Sequence, residues 1–130
     1  MSDSLPVNDR TQTVLDRAAL DAIRALDENG AAGLLRQVVQ LYFESTARLI
    51  AELRQAQAAG QIKAVRDATH SLRSSSANLG ASRLAEMCKT VEHAARAGTL
   101  PADLPSAEDI EREFVAVRRA LECEIRPSAA

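Results

Sequence analysis

Apolar residues recur at steps of three and four along most of this chain, which is the spacing of one face of an α-helix. The first such run begins at Val14 and predicts a short helix, with Asp16 as its N-cap and with Asn29 and Gly30 as its stop. Residues 1–13 mix small polar residues with proline and show no period, so we expect a flexible leader or linker there. The apolar positions of the short helix are Leu15, Ala18, Leu20, Ile23 and Leu26.

Four longer segments repeat the helical period. The first follows Gly33 and is expected to reach about Ala59. The second ends at Gly80, the third ends at Gly98, and the fourth opens with a capping box at Ser106. The positions predicted to face the core are, segment by segment, Leu34, Val38, Leu41, Tyr42, Ser45, Leu49 and Leu53; Ile62, Val65, Ala68 or Thr69, Leu72, Ser75 or Ser76, and Leu79; Leu84, Met87, Cys88, Val91 and Ala95; and Ile110, Phe114, Val117 and Leu121.

Short connections between these segments force neighbouring helices to run in opposite directions. The expected fold is therefore all-α, an antiparallel up-and-down four-helix bundle with an additional short N-terminal helix. A chain of 130 residues with 46% hydrophobic content is long enough for one domain with a substantial core. We predict that the bundle occupies residues 14–124 and that residues 125–130 form a C-terminal tail.

Composition narrows the classes of function. The formal charge of -2 gives no sign of the basic footprint that nucleic-acid binding usually needs. Cys88 and Cys123 have no spacing for a metal or redox site, and we interpret both as reduced core residues. The chain shows neither a signal peptide nor a run of about 20 apolar residues, so we expect a cytoplasmic protein without direct membrane insertion.

His70 is the residue with the clearest chemical use. In a projection of about 100° per residue it lies opposite the apolar positions of its helix, so its side chain is predicted to face solvent. A largely unprotonated imidazole is a good nucleophile near neutral pH, and its attack on a phosphoryl group gives a phosphoramidate. The negative charge of the phosphoryl oxygens must then be balanced by cations. Arg73, about one turn away on the same side, can supply one.

The rest of this surface is basic or small. Lys63 and Arg66 add longer-range attraction for an anionic group. Small side chains leave room for another protein to approach the ring closely, and this is a docking surface rather than a pocket. The small residues are Ser71, Ser74 and Ala77.

Other interpretations of these residues stay open. Most isolated histidines on a helix surface have no special function, and we treat His93 as an ordinary surface residue. Two histidines on separate helices, without cysteine or carboxylate at ligand spacing, do not indicate a metal site. The serines after Arg73 lack the strand-turn-helix context of a hydrolase nucleophile. Ser75 and Ser76 are expected to fill tight helix contacts and to bond back to helix carbonyls.

The stretch from His70 to Ala81 reads HSLRSSSANLGA and closely resembles the signature of histidine-containing phosphotransfer (HPt) domains of bacterial multistep phosphorelays. That signature begins with His, any residue, Leu, Lys, Gly, Ser and Ser, and Leu-Gly-Ala follows a few residues later. The similarity extends to Leu84, Cys88 and Glu92, and weakly back to Leu15 and Asp16.

The resemblance implies that His70 accepts a phosphoryl group from the aspartate of a response-regulator receiver domain and passes it to another receiver. Arg73 stands where the family usually has lysine, which keeps the charge but changes a compact ammonium into a fork with several donors. Ser74 stands where the family usually has glycine, which puts a hydroxymethyl group on the docking surface.

The resulting hypothesis is a phosphocarrier without an ATP site of its own, because the chain has no glycine-rich phosphate loop. No cofactor or metal is expected in this chain, and Mg²⁺ is expected on the partner receiver. The expected partners are receiver domains, with a hybrid sensor histidine kinase as a further candidate. The chain is expected to be a monomer, and it is either a free shuttle or a module of such a kinase. Alternatives of other classes are a helical adaptor that binds receivers without phosphotransfer and a structural bundle with an incidental histidine.

Overall fold

The computed structural model describes residues 14–27 and 33–126. Helices make up most of this part, no strand occurs in it, and the all-α prediction is confirmed. The expected leader at residues 1–13, the expected stop at Asn29 and Gly30, and residues 127–130 of the expected tail lie outside the described residues. The helices are α1 (Arg17–Ala25), α2 (Gly33–Ala59), α3 (Ile62–Asn78), α4 (Ser82–Arg96) and α5 (Ala107–Ile125).

The four long helices form the bundle. Each packs against the next along the chain, and α5 returns to pack against α2, so the bundle closes on itself. The short helix α1 packs against α2, and the backbone nitrogen of Asp16 donates a hydrogen bond of 2.6 Å to the carbonyl of Gly80. This bond fixes the start of α1 to the end of α3.

The helix boundaries follow the capping residues that the sequence predicts. Asp16 accepts a hydrogen bond of 3.0 Å from the backbone nitrogen of Ala18. Ser106 and Asp109 form the reciprocal capping box at the start of α5. Each box partner satisfies a backbone N–H that would otherwise lack a partner at the end of a helix.

The predicted core face of α2 is confirmed at Tyr42 and Leu53 but is wrong by about one residue at its other positions. Leu41 is 66% exposed, and the predicted core positions Leu34, Val38, Ser45 and Leu49 are only half-buried. Apolar residues repeat at helical steps in two adjacent rows of α2, and only packing against both α3 and α5 selects between them. The buried residues of α2 are Leu35, Val39, Tyr42, Phe43, Thr46, Ile50, Leu53 and Ala56.

The other predicted core positions are mostly confirmed. Ala68 and Thr69 are both buried, and Ser76 rather than Ser75 is the buried serine of α3. Ile62 and Met87 are half-buried at the edge of the core. In and around α1, Leu15 before the helix and Leu20 within it are buried, whereas Ala18 and the C-cap residue Leu26 are exposed.

The two cysteines have different environments. Cys88 is buried in α4, as predicted, but Cys123 is exposed, so its interpretation as a core residue is wrong. Cys123 lies two positions from Leu121 on α5, which places it about 160° away from that buried row. Among the described residues, no helix has the length and apolarity that crossing a membrane requires.

Candidate functional site

His70 lies at the middle of α3, and its side chain is 52% exposed. The opposite face of α3 carries Val65 and Leu72, both fully buried, so the solvent-facing orientation predicted for the histidine is confirmed. The ring is held from one side. Its Nδ1 atom lies 2.9 Å from Oε2 of Glu92 on α4.

Glu92 is a carboxylate inside the bundle, with a side chain that is 1% exposed. Three groups surround it: His70, Arg73, whose Nε lies 2.9 Å from Oε1, and Arg96, whose Nε and Nη2 donate to Oε2 at 3.1 and 2.9 Å. A buried charge is tolerated when it is paired and hydrogen-bonded in this way. Burial by itself raises the pKa of Glu92, but the hydrogen bonds from Arg96 and His70 and the charge of Arg73 outweigh it and bring the pKa below its usual value.

The ionised carboxylate selects one tautomer of the neutral imidazole. An ionised glutamate only accepts hydrogen bonds, so Nδ1 of His70 must be the donor. The neutral ring then has its lone pair on Nε2. The arrangement therefore produces a nucleophilic nitrogen on an exposed ring whose orientation is fixed from within the bundle.

The two predicted basic residues beside His70 are less free than the sequence suggests. Lys63 and Arg66 both pair with Asp67, at 3.3 and 3.6 Å, and the neighbouring lysine and arginine keep the pKa of Asp67 below its usual value. Asp67 lies on the same side of α3 and offsets part of their charge. The three small residues of the predicted docking surface, Ser71, Ser74 and Ala77, are exposed.

The serines that follow Ser74 have separate roles. Ser75 is half-buried, and its Oγ donates to the carbonyl of Ser71 at 3.0 Å, as predicted. Ser76 does not bond back to a helix carbonyl; its Oγ lies 2.8 Å from the hydroxyl of Tyr42 in the core. Burial raises the pKa of Tyr42 to about 12, so the hydroxyl stays neutral and the pair ties α3 to α2.

A groove runs beside His70 between α2 and α3. Leu49 and Glu52 line it from α2, and Asp67 and Ser71 line it from α3. Leu41 lies on the edge of α2 that continues this groove in a helical projection. Leu41 and Leu49, two residues that the sequence places in the core, therefore border the surface around the histidine.

Sequence reasoning missed Glu92 and Arg96 as parts of the site. Glu92 falls on the buried stripe of α4, between Cys88 and Ala95, and a charged residue on such a stripe requires a partner. Arg96, four residues later, is one such partner. A glutamate on a buried stripe with an arginine four residues later was therefore the signal in the sequence for this buried ion pair. The described residues contain no group of three or more histidine, cysteine or acidic side chains arranged to hold a metal ion.

Comparison with known proteins gives consistent results. The model of the family described as Hpt domain matches residues 37–120. Histidine-containing phosphotransfer protein 4 of Arabidopsis thaliana is 28% identical over 113 residues, which cover 85% of this chain and 88% of that protein. The crystal structure of histidine-containing phosphotransfer protein B (HptB) from Pseudomonas aeruginosa PAO1 superposes with a TM-score of 0.77 at 29% sequence identity, and the match covers 87% of this chain and 95% of that one.

Proposed function

This chain belongs to the Hpt domain family, and from that premise we propose that His70 is the residue that carries the phosphoryl group. The role of the chain is histidine phosphotransfer in a phosphorelay, and it acts as a phosphocarrier rather than as a catalyst in the usual sense. In the proposed reaction His70 accepts the group from an aspartyl phosphate of one receiver domain and passes it to the aspartate of another.

One observation carries the assignment to His70: the hydrogen bond of 2.9 Å between its Nδ1 and the buried carboxylate of Glu92. This bond supports a single tautomer with the Nε2 lone pair available to an approaching phosphoryl group. His93, the other histidine of the chain, is exposed on α4, and no hydrogen bond or ion pair of its side chain is found in the described part. Among the described residues, no carboxylate orients its ring as Glu92 orients the ring of His70.

The proposed transfer conserves protons on the ring. The Nε2 lone pair attacks phosphorus, and the bond between phosphorus and the aspartyl oxygen breaks, with its electron pair passing to the carboxylate of the donor receiver. His70 keeps its Nδ1 proton and becomes a phosphorylated imidazolium cation beside the negative charge of Glu92. Transfer to the second receiver is the reverse of this step, with a new aspartate as the nucleophile.

Arg73 is the proposed cation for the phosphoryl oxygens. Its Nε faces Glu92, and an arginine has four further N–H donors on its terminal nitrogens. Its side chain is 33% exposed, so it connects the buried carboxylate with the surface where the phosphoryl group would lie. We expect the partner receiver to contribute a bound Mg²⁺. We also propose that this chain does not use ATP directly, since its sequence has no glycine-rich phosphate loop.

The proposed receiver-docking surface combines two kinds of residue. Polar and small side chains surround His70 on α3, and the apolar edge of α2 lies beside them at Leu41 and Leu49. Exposed apolar side chains next to a polar rim are typical of protein interfaces. We further propose that the chain works as a monomer in the cytoplasm, either as a free shuttle or as a module of a hybrid sensor histidine kinase. The α3 residues of this surface are Lys63, Arg66, Ser71, Ser74 and Ala77.

The test uses phosphorylated receivers and the two histidines of the chain. A panel of receivers carrying labelled phosphate is mixed with the wild type, with His70→Gln and with the matched control His93→Gln. We expect acid-labile label in the wild type and in His93→Gln and none in His70→Gln. Equal labelling of His70→Gln would overturn the assignment. Receiver binding without any label on the wild type would instead support the adaptor alternative.

A further inference from the structure

Arg96 is the second arginine bound to Glu92, and the phosphotransfer step described above does not use it. It lies in the last turn of α4, four residues after Glu92, with a side chain that is 57% exposed. We propose that Arg96 is a positioning residue that sets how much negative charge Glu92 presents to His70. The inference rests on the proposed function, because it concerns the form of His70 that accepts the phosphoryl group.

The two oxygens of Glu92 have different partners. Oε2 accepts hydrogen bonds from Nδ1 of His70 at 2.9 Å and from Nη2 and Nε of Arg96 at 2.9 and 3.1 Å. Oε1 faces Nε of Arg73 at 2.9 Å as an ion pair, without the geometry of a hydrogen bond. A carboxylate has about four lone-pair sites, two on each oxygen. The three N–H donors at Oε2 therefore share the negative charge of that one oxygen. Arg96 therefore competes with His70 for the same oxygen atom.

This competition matters because a carboxylate has two opposite effects on a histidine nucleophile. It orients the ring, but it also favours the protonated imidazolium, which has no lone pair with which to attack. The guanidinium of Arg96 on the same oxygen offsets the stabilisation of the imidazolium. The hydrogen bond from Nδ1 to Glu92, which orients the ring, stays in place. Glu92 thus orients His70, while Arg96 binds the same oxygen and offsets part of the negative charge that faces the ring.

Arg96 has the same influence after transfer. The phosphorylated ring is a cation, so a nearby guanidinium raises its free energy relative to the neutral ring. The phosphoryl group is then passed on more readily. The remaining charged groups around the ring are distributed over the helices that contact α3. On α3 they are Lys63, Arg66, Asp67 and Arg73; on α4 Glu92 and Arg96; and on α2, across the groove, Glu52 and its ion-pair partner Arg48.

Three full-length variants separate charge from structure. Arg96→Gln removes the charge and keeps an amide that can bond to Glu92, whereas Arg96→Lys keeps the charge. Arg112→Gln is the matched control. Arg112 forms an ion pair with Asp109 on α5, and α5 does not pack against α3. The first readout is an NMR pH titration of the His70 ring signals in the unphosphorylated chain. The second is the pH dependence of the rate at which the chain accepts label from a phosphorylated receiver.

We expect the midpoint of the ring titration to move up by about 0.5 to 1 pH unit in Arg96→Gln, because a cation is lost beside the ring. Arg96→Lys and Arg112→Gln should stay near the wild type. The acid limb of the rate profile should move with the midpoint, so that the rate at a pH on that limb falls by about 3- to 10-fold and recovers at higher pH.

An unchanged titration and an unchanged profile in Arg96→Gln would overturn the proposal, even if the variant unfolds at a lower temperature. A shift in Arg96→Lys as large as that in Arg96→Gln would also overturn it, because charge would not be the cause. If the wild type accepts no label, the proposed function fails, and the role of Arg96 in transfer fails with it. Normal labelling of the wild type with an unshifted Arg96→Gln profile overturns the role of Arg96 alone.

Discussion

The Nδ1 atom of His70 lies 2.9 Å from Oε2 of Glu92, so an exposed imidazole is hydrogen-bonded to a carboxylate that solvent hardly reaches. The pair joins α3 to α4, which are packed along their lengths. It holds the ring in one orientation and, because the carboxylate is ionised, in one tautomer. The reactivity proposed for a surface residue thus depends on a residue of the core.

Replacing Glu92 should slow phosphoryl acceptance in a graded way. Glu92→Ala removes the acceptor for Nδ1 and leaves two arginines without their partner. Carboxylates that orient histidine rings in metal sites are worth about 10- to 100-fold, and we expect a loss of that size in the initial rate of labelling. Glu92→Gln should lose less, since an amide oxygen still accepts from Nδ1.

The control for Glu92 is Glu86→Ala, an exposed glutamate on the same helix. Far-ultraviolet circular dichroism should show that each variant stays helical. A wild-type labelling rate in Glu92→Ala would remove Glu92 from the mechanism.

Arg73→Ala should reduce the rate of phosphoryl acceptance by about 10- to 100-fold, because a donor to the developing phosphoryl charge is lost. The bundle should stay folded, since Glu92 keeps its bonds to His70 and Arg96. Arg66→Ala is the control: Arg66 is also a cation of α3, but it pairs with Asp67 rather than with Glu92. We expect it to change the rate by no more than about threefold. Equal effects of the two substitutions would show that only net charge matters.

Gly80→Ala should destabilise the fold by about 3 kcal/mol or more. Gly80 has a φ of +76°, and a Cβ there would collide with the carbonyl oxygen of Asp16 and lie 2.9 Å from its backbone nitrogen. Gly60→Ala separates the two causes, because Gly60 has a φ of +66° with nothing near its Cβ position. It should cost only about 1 to 2 kcal/mol in urea unfolding. Equal losses at both glycines would mean that the close contact with the backbone of Asp16 adds nothing.

Leu41→Asp should weaken receiver binding by about 5- to 10-fold if the apolar edge of α2 belongs to the docking surface. Leu41 is 66% exposed, so the substitution should not unfold the bundle. Val115→Asp provides the control, because Val115 is an exposed apolar residue of α5, 44% exposed, in a separate groove between α2 and α5. Isothermal titration calorimetry with an unphosphorylated receiver measures the dissociation constants of both variants. Greater weakening by Val115→Asp would move the docking surface to the other side of the bundle.

The two thiols should react differently with an alkylating reagent. Burial raises the pKa of Cys88 to about 12, so at pH 8 its reactive thiolate is scarce as well as inaccessible. Cys123 is exposed. Mass spectrometry should detect one label per native chain at pH 8, placed on Cys123, and two labels after denaturation. Rapid labelling of native Cys88 would contradict the packing of α4.

Much of the fold could be predicted from the sequence because helix ends are local. Asp16, Ser106 and the glycines that end α3 and α4 act on backbone groups within a few residues, and those predictions are confirmed. The core face of α2 could not be predicted in the same way. Two apolar rows share the same period there, and the choice between Leu41 and Val39 as a core residue depends on the helices that pack against α2.

The sequence by itself determined the all-α bundle, the exposure of His70 and the resemblance that its surrounding residues carry, because helical period and local spacing fix which side of α3 a residue occupies. Only the tertiary structure brought Glu92 and Arg96 to that histidine. They are more than twenty positions away along the chain, and the packing of α4 against α3 decides which of its side chains reach the ring. Helix-to-helix packing depends on the whole core, and a local pattern does not contain it.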